Sequence, residues 1–237
     1  MIFKAPLIPG HLVRRYKRFL ADVQLADGST VTAHVPNSGA MLGLTTPGLE
    51  VRLSPAANPG RKLPYTLEMV HTDNTWVGSN TSHPNALAQE AVASNRFSPF
   101  SGYTSVRREV KYGKNSRIDL LLEDPALPPL YVEVKNVHVR RPERHDGQTA
   151  EFPDSVTSRG AKHLEEMADM VRAGARALML YIVQRGDCSS FRVAEDLDPA
   201  YAAAFAKARK AGVEALCLDC TVSPEGIDIG KPLPILG

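Results

Sequence analysis

Residues 116–137 read SRIDLLLEDPALPPLYVEVKNV and contain two apolar runs separated by a proline-rich turn. This pattern predicts two β-strands, in which successive side chains point to opposite faces. Asp119, Glu133 and Lys135 interrupt the apolar runs. If the strands pair across the turn, the carboxylates of Asp119 and Glu133 come within reach of one ion, and Lys135 lies on the same face as Glu133.

The chemistry of this triple points to phosphodiester hydrolysis. Two carboxylates with a backbone carbonyl and water form the oxygen environment that Mg²⁺ or Mn²⁺ prefers. Such an ion polarises a phosphodiester and lowers the pKa of a bound water, while a nearby ammonium positions that water or offsets developing charge. We therefore predict Asp119 and Glu133 as metal ligands and Lys135 as a catalytic ammonium. A cross-strand ion pair on a wet sheet face is the structural alternative.

A third carboxylate is predicted on a preceding helix. The segment SNTSHPNALAQEAVASNRF has the helical pattern, with Pro84 suited to the first helical position. Leu87 and Ala91 recur on one face, and Glu90 adjoins this stripe. Because a charge on an inward face needs a partner, Glu90 is predicted to bind the metal.

The first 80 residues have the pattern of a small β-barrel. FLADVQL and STVTAHV flank the Asp27-Gly28 turn, which is a hairpin signal. Further short runs follow at GLEVRLS, KLPYTLEMVHT and TWVG, separated by turns rich in Pro and Gly. An oligonucleotide-binding (OB) barrel over residues 1–80 fits this pattern, and strand counting alone does not separate it from an SH3-like barrel.

The pattern changes from residue 81 onward. The order of elements is α-β-β-β-α-β-α-β, which predicts an α/β domain (α+β for the whole chain) with a mixed sheet flanked by helices over residues 81–237. VRREVKY and SRIDLLLE are joined at Gly113-Lys114-Asn115. RGAKHLEEMADMVRAG and PAYAAAFAKARKAG are the later helices, and RALMLYIVQ has the apolar run of a fully buried strand.

The composition is that of an ordinary globular protein, with 237 residues and 43% hydrophobic content. No apolar run is long enough to cross a bilayer, and the N-terminus lacks a secretory pattern, so we expect a cytoplasmic protein without a membrane partner. Three cysteines cannot form a closed disulfide framework. Cys217 and Cys220 spell CLDC, for which packing thiols are favoured over a metal or redox site.

Local basic clusters are candidates for phosphate contacts, although the net charge of +2 is too small to indicate a nucleic-acid binder. A flexible basic loop beside a metal site can clamp a strand, whereas solvated charges are the alternative for each cluster. The predicted contacts are Arg14, Arg15, Lys17 and Arg18 near the N-terminus, Arg107, Arg108 and Lys111 before the acidic site, and Arg140, Arg141 and Arg144 after it.

Three further residues lie near the start of the helix after this loop. Arg159, Lys162 and His163 can share a helix face, and free backbone N–H groups at a helix start favour an anion. We predict that they contact the phosphate. For His163, a general base and a hydrogen-bonding residue both remain open.

Five segments, HVPNSGAMLGL, SNTSHPN, SRIDLLLED, YVEVKNV and FPDSVTSRGAKHL, resemble in this order the sugar fermentation stimulation protein (SfsA) family. The C-terminal part resembles the PD-(D/E)xK restriction-endonuclease-like superfamily. The resemblance implies an OB-type domain, a nuclease-like domain, DNA binding and regulation of sugar catabolism, maltose genes in particular. The superfamily's metal carboxylates fall on Asp119 and Glu133, its lysine on Lys135 and its helix glutamate on Glu90. Ile118 stands where the superfamily usually has proline.

Two functions follow from these patterns. One is a Mg²⁺- or Mn²⁺-dependent nuclease acting on single- or double-stranded DNA, and the other is a non-catalytic DNA-binding regulator of sugar genes that uses the nuclease-like fold as a scaffold. A barrel that binds a small nucleotide or a protein partner is a third interpretation. A dimer is expected if both strands are cut, whereas nicking does not require one.

Overall fold

The N-terminal part of the chain forms a five-stranded barrel with one added strand. The computed structural model describes residues 1–58, 60–113, 116–145 and 147–237. Antiparallel pairs join β1 to β2 and β4, β2 to β3, and β4 to β5, and a parallel pairing of β3 with β5 closes the barrel. Its strands are β1 (Ile8–Tyr16), β2 (Leu20–Leu25), β3 (Thr30–His34), β4 (Glu50–Pro55) and β5 (Tyr65–Thr72), with β6 (Thr75–Gly78) paired to β5.

A six-stranded mixed sheet forms the centre of the C-terminal part, in the order β15-β14-β12-β9-β8-β7. β9, β12 and β14 are parallel, and the outer pairings are antiparallel. The strands are β7 (Ser105–Tyr112), β8 (Ser116–Asp124), β9 (Leu127–Val137), β12 (Arg176–Val183), β14 (Glu214–Val222) and β15 (Ile227–Pro232). A smaller sheet contains β10 (Val139–Arg140), β11 (Thr149–Phe152), β13 (Ser190–Val193) and β16 (Ile235–Leu236).

Helices cover both faces of the central sheet. Within the described ranges they are α1 (His83–Ala93), α2 (Ser158–Arg172) and α3 (Pro199–Lys210), with a short 3₁₀ turn at Ser98–Phe100. Leu87 of α1 packs on one face, while Leu164 of α2 and Tyr201 of α3 pack on the other. β12 is buried between them, as its continuous apolar run predicts.

The predicted fold class is confirmed. The predicted α-β-β-β-α-β-α-β order holds for the three helices and for β7, β8, β9, β12 and β14 of the central sheet, whereas β10, β11 and β13 are additional strands between them. The smaller sheet was not predicted, because its strands have only two to four residues, which is too short for a detectable periodicity. The predicted turn residues Lys114 and Asn115 lie outside the described residues. Cys217 and Cys220 are buried on opposite sides of the sheet, which agrees with packing thiols. Among the described residues, no helix combines the length and apolar composition that crossing a bilayer requires.

A buried carboxylate joins the barrel to helix α1. Glu68 on β5 accepts hydrogen bonds from Ser54 Oγ at 2.5 Å, Asn80 Nδ2 at 2.8 Å and His83 Nε2 at 2.7 Å. Burial by itself raises the pKa of Glu68, but these hydrogen bonds lower it overall. Since His83 begins α1, this cluster fixes where the helix starts relative to the barrel.

Replacing Glu68 with Ala should destabilise the protein by about 3 kcal/mol, because the buried amide of Asn80 and the half-buried side chains of Ser54 and His83 lose their acceptor. Urea denaturation at pH 7 measures this free energy of unfolding. The lowered pKa means that the stabilisation is present above the unfolded pKa and is lost as the pH falls through the folded value, so the difference between variant and wild type should shrink in acid. Glu50→Ala at the half-exposed start of β4 is the control, and an equal loss there would contradict the assignment.

Candidate metal and nucleic-acid site

Asp119 lies where two strands of the central sheet separate. The pairing of β8 with β9 ends at Leu120 opposite Val132, although each strand continues to pair with its other neighbour. Beyond that point Asp119 Oδ2 accepts from the backbone N–H of Val134 at 2.7 Å. The Asp119 carboxylate therefore takes the place of the backbone carbonyl that would accept this hydrogen bond in a regular β-ladder. Counting one residue beyond the Leu120–Val132 pair in the antiparallel register, Asp119 lies opposite Glu133.

Glu133 projects toward helix α2 and is 3% exposed. Its Oε1 accepts from Lys135 Nζ at 2.7 Å and from His163 Nδ1. Its Oε2 is buried and has no hydrogen-bond partner among the described residues. One carboxylate oxygen is thus held by two donors, and the other remains available to a cation.

The two carboxylates differ in electrostatic environment. Burial and the nearby charge of Glu133 raise the pKa of Asp119, although hydrogen bonds from Val134 and Asn85 oppose the shift. Burial also acts to raise the pKa of Glu133, but the hydrogen bond from His163 and the charge of Lys135 lower it overall. A divalent cation between the carboxylates would relieve the repulsion that Asp119 experiences.

These donors fit Mg²⁺ or Mn²⁺ better than a softer ion. In the described part of the chain, no group of three His, Cys, Asp or Glu side chains has the arrangement of a metal cluster. Mg²⁺ is commonly held by one or two carboxylates and keeps several waters, so Asp119 and Glu133 suffice for it. The partnerless Oε2 of Glu133 is the observation that supports this fit.

The predicted role of Glu90 as a metal ligand is not supported by the structure. Glu90 is exposed, and its Oε2 pairs with the N-terminal ammonium of Met1 at 2.8 Å. Helix α1 turns through about 100° per residue, and its buried positions exclude Glu90. Asn85 faces the site instead, and its Nδ2 donates to Asp119 Oδ1 at 3.0 Å.

Sequence reasoning missed Asn85 because an uncharged amide does not stand out as a metal-site residue. The signal for it was a polar residue directly after Pro84 in the first turn of α1, in the segment SNTSHPN. Its amide holds Asp119 from the side of α1, while Val134 holds it from β9. Asp119 is consequently fixed by two neighbouring elements.

Two of the three predicted residues on α2 reach the acidic site. Arg159 Nε donates to His163 Nε2 at 3.3 Å. Because that nitrogen accepts, His163 carries its proton on Nδ1 and donates it to Glu133. His163 is 3% exposed and holds a carboxylate, which favours the hydrogen-bonding interpretation over a general base. Lys162 instead lies 3.6 Å from Glu166 Oε1.

Most of the predicted basic loop is held by carboxylates, contrary to the expected DNA clamp. Arg141 makes two hydrogen bonds of 2.6 Å to Glu151 and two more to Asp196, which raise its pKa. Arg140 is largely buried, and Arg144 shares Asp196 with Arg141. These side chains hold the loop in place, so the predicted phosphate contacts of Arg140 and Arg141 are corrected to structural ion pairs.

Arg15 is a second correction. Its guanidinium donates to the backbone carbonyls of Arg18, Asn37, Gly39 and Ala40. Since its donors are used on carbonyl oxygens, Arg15 stabilises a barrel loop and has little capacity left for phosphate.

The remaining basic residues differ in how far they are paired. Arg14 pairs with Asp22, and Arg107 pairs with Glu123. Both arginine side chains are still more than half exposed. For the other four, the described residues provide no ion-pair partner, and all four are exposed: Lys17, Arg18, Arg108 and Lys111. They are the predicted contacts that the structure leaves available.

A polar cleft of about 490 Å³ lies between the barrel and the C-terminal part. Asp154 lines this cleft, and its Oδ2 accepts from the backbone N–H of Met41 at 3.0 Å. A Cβ on Gly39 would lie 2.2 Å from the Asp154 carboxylate, so only glycine fits there. The lining includes Arg18, Asn37, Ser38, Thr81, Asn136, His138, Asp154 and Thr157.

Comparison with known proteins gives the family context of this geometry. A family model described as the SfsA N-terminal OB domain matches residues 13–79, and one described as the sugar fermentation stimulation protein RE domain matches residues 82–226. These matches confirm the OB assignment of the barrel, while the predicted division at residues 80 and 81 stays a prediction.

Similar proteins cover nearly the whole chain. Sugar fermentation stimulation protein homologs from Rhodospirillum centenum and Paramagnetospirillum magneticum are 62% and 58% identical over 233 residues, or 98% of this chain and 98% and 97% of theirs. The solved structure titled Pyrococcus furiosus SfsA in complex with Ca²⁺ aligns with a TM-score of 0.89 at 26% identity, covering 100% of this chain and 98% of that one.

Because the pKa of Asp119 is raised in the folded protein, ionisation of this carboxyl lowers the free energy of unfolding. Asp119→Asn should remove this loss of stability. The pKa of Asp119 is higher in the folded protein than in the unfolded chain, where it is about 3.9. The loss of stability therefore grows as the pH rises from the unfolded pKa through the folded pKa. In EDTA, the melting temperature of Asp119→Asn relative to wild type should therefore be higher at pH 8 than at pH 4. A difference that does not change with pH would contradict the raised pKa that burial and the charge of Glu133 give to Asp119.

Proposed function

This chain belongs to the sugar fermentation stimulation protein family, and on that premise we propose that it is a Mg²⁺- or Mn²⁺-dependent phosphodiesterase acting on DNA. The observation that carries the proposal is the paired placement of Asp119 and Glu133 at the opening between β8 and β9, with Glu133 Oε2 buried and without a partner among the described residues. Lys135 lies beside them.

Each residue of the site has a defined task in this proposal. Asp119 and Glu133 hold the cation, which supplies a Lewis acid for the phosphodiester when bound. Lys135 is held 2.7 Å from Glu133 Oε1, where its ammonium orients the attacking water or offsets negative charge that develops on the phosphate. His163 fixes Glu133 from helix α2 and is a positioning residue.

A solved relative supports the use of a divalent cation. The structure of Pyrococcus furiosus SfsA is titled as a complex with Ca²⁺. Ca²⁺ and Mg²⁺ share a preference for oxygen ligands, which are the donors that Asp119 and Glu133 provide. The choice of Mg²⁺ or Mn²⁺ as the working ion is part of the proposal.

The OB barrel is proposed to bind the nucleic acid. OB-folds bind oligonucleotides along one face, and exposed cations supply the affinity for phosphate. Lys17 and Arg18 lie at the β1–β2 turn, and Arg18 lines the cleft between the barrel and the C-terminal part. This placement lets one strand contact both parts of the protein. A link to sugar genes remains an expectation from the family.

Purified protein with Mn²⁺ should cleave DNA, and Asp119→Ala and Lys135→Ala should each reduce the rate by about 100-fold or more, since they remove a metal ligand and the catalytic ammonium. Gel assays on single- and double-stranded fluorescent substrates measure both rates. Glu90→Ala is the matched control and should retain activity, because that carboxylate lies away from the site. DNA binding without cleavage by the wild type would instead support the non-catalytic regulator.

The double substitution Lys17→Ala/Arg18→Ala should weaken DNA binding and lower the slope of log affinity against log salt, by about 0.7 to 0.9 for each phosphate that is no longer neutralised. Fluorescence anisotropy at several salt concentrations measures this slope. Lys207→Ala/Lys210→Ala on α3 removes the same charge elsewhere and serves as the control. Equal slopes in the two double variants would show that the β1–β2 turn does not contact DNA.

A further inference from the structure

The cleft between the barrel and the C-terminal part contains a buried nitrogen without a hydrogen-bond partner. His138 lines this cleft and is 4% exposed. Its Nε2 makes no hydrogen bond to the described residues, and Oδ2 of Asp154 lies 3.4 Å away without accepting one. Buried polar groups are rarely left unpaired, and each exception calls for an explanation such as a bound water or ion. A ligand in the cleft could complete the hydrogen bonding of His138.

The hydrogen bonds around His138 fix its Nε2 as a donor. Gln184 Nε2 donates to Asn136 Oδ1 at 2.6 Å, which orients the Asn136 amide. Asn136 Nδ2 then donates to His138 Nδ1 at 3.2 Å. Because Nδ1 accepts this hydrogen bond, the neutral imidazole carries its proton on Nε2. A ligand at this place has to present an acceptor to His138.

Asp154 provides an acceptor beside this donor. Burial acts to raise the pKa of Asp154, but His138 and the backbone N–H of Met41 lower it to about 2, so the carboxylate is ionised at neutral pH. Its Oδ2 accepts from Met41 at 3.0 Å, and its Oδ1 accepts from Ser155 Oγ at 3.2 Å. A carboxylate has about four lone-pair sites and retains capacity for a ligand. Its negative charge disfavours a phosphate here, whereas a neutral ligand with a donor next to an acceptor fits.

The cleft also has apolar walls. Phe152, Pro153 and Val156 line it, and the Val156 side chain is 76% exposed although it is apolar. The volume of about 490 Å³ is typical of a site for a small ligand. A nucleobase has apolar faces and an edge of hydrogen-bond donors next to acceptors. The cleft therefore matches a nucleobase better than a phosphate or a purely apolar group.

The cleft lies close to the proposed metal site and to a predicted phosphate contact. Asn136 directly follows Lys135 on β9, so their Cα atoms are about 3.8 Å apart. Side chains of successive strand residues point to opposite faces, which separates the cleft from the metal site by the width of one strand. Arg18 is exposed and lines the cleft on the barrel side. A DNA strand whose phosphate contacts Arg18 can consequently direct a base into the cleft.

We propose that this cleft holds one unpaired nucleobase of a DNA strand, with His138 and Asp154 bound to the edge of the base and Arg18 to the adjoining phosphate. A base within a duplex is stacked and paired, so it cannot enter the cleft without leaving the duplex. The protein therefore favours DNA that contains unpaired bases. This inference rests on the proposed function and names the substrate class of that site.

Fluorescence anisotropy in EDTA tests the proposal by binding alone. Wild type should bind a short single strand about 10-fold more tightly than an abasic strand with the same number of phosphates, because contacts to one base are commonly worth that much. A duplex with one bulged nucleotide should likewise bind more tightly than the same duplex with an abasic bulge. Since the charges match within each pair, the difference reports the base and not the phosphates.

Two variants test the cleft residues. His138→Phe keeps a ring but removes the Nε2 donor, and it should lose most of the preference for the base while binding the abasic strand as wild type does. Ser38→Leu narrows the cleft from an exposed position and should have the same effect. His145→Phe and Ser101→Leu change exposed residues outside the cleft lining and are the matched controls, which should keep the preference. Thermal denaturation shows whether each variant is folded, and Ser38→Leu decides the test if His138→Phe is not.

The other outcomes separate this site from the proposed function. Equal affinity of wild type for the base-containing and abasic strands would overturn the base site and leave the proposed function standing. A preference that persists in folded His138→Phe and in Ser38→Leu would show that bases bind elsewhere and would also overturn it. Free deoxynucleoside monophosphates that bind as tightly as the single strand would overturn the assignment to a DNA strand. Absence of DNA binding, with or without added Ca²⁺, would overturn both proposals.

Discussion

The hydrogen bond from the Val134 N–H to Asp119 Oδ2 is the interaction on which the site depends. It replaces a ladder bond at the point where β8 and β9 part, so the sheet opens without leaving this buried N–H unpaired. The opening turns Asp119 toward Glu133. Both strands keep their outer partners, β7 and β12, and the opening is therefore held rigidly on each side.

Helix α2 supplies the polar groups that complete this arrangement. An amphipathic helix usually buries only apolar residues, yet α2 buries His163 and Glu166 beside Leu164 and Met167. His163 bonds Glu133 and receives a hydrogen bond from Arg159. Burying polar groups lowers the stability of a protein, and such groups are commonly kept at active sites because function requires them.

Charge in the linear sequence is a poor guide to the nucleic-acid surface of this protein. Arg141 looks like a phosphate contact because it lies in a basic run, but Glu151 and Asp196 bind it from other elements. Arg15 is likewise used on backbone carbonyls. Arginine provides five donors in a planar fork and is well suited to holding loops, so basic runs can serve structure. The exposed cations that remain are fewer than the sequence suggests.

The sequence alone determined the order of the helices and of most strands of the central sheet, a small barrel followed by a mixed sheet, and the triple of Asp119, Glu133 and Lys135. These features depend on local periodicity and on short-range spacing across one turn, which a single sequence records. The positions of Asn85 beside Asp119 and of Glu90 away from the site were decided only by the tertiary structure. Each depends on which way a helix face turns when it packs on the sheet, and α1 gave too weak a pattern to show that Glu90 points outward to Met1. Contacts between groups far apart in the chain arise from packing, and no local pattern encodes them.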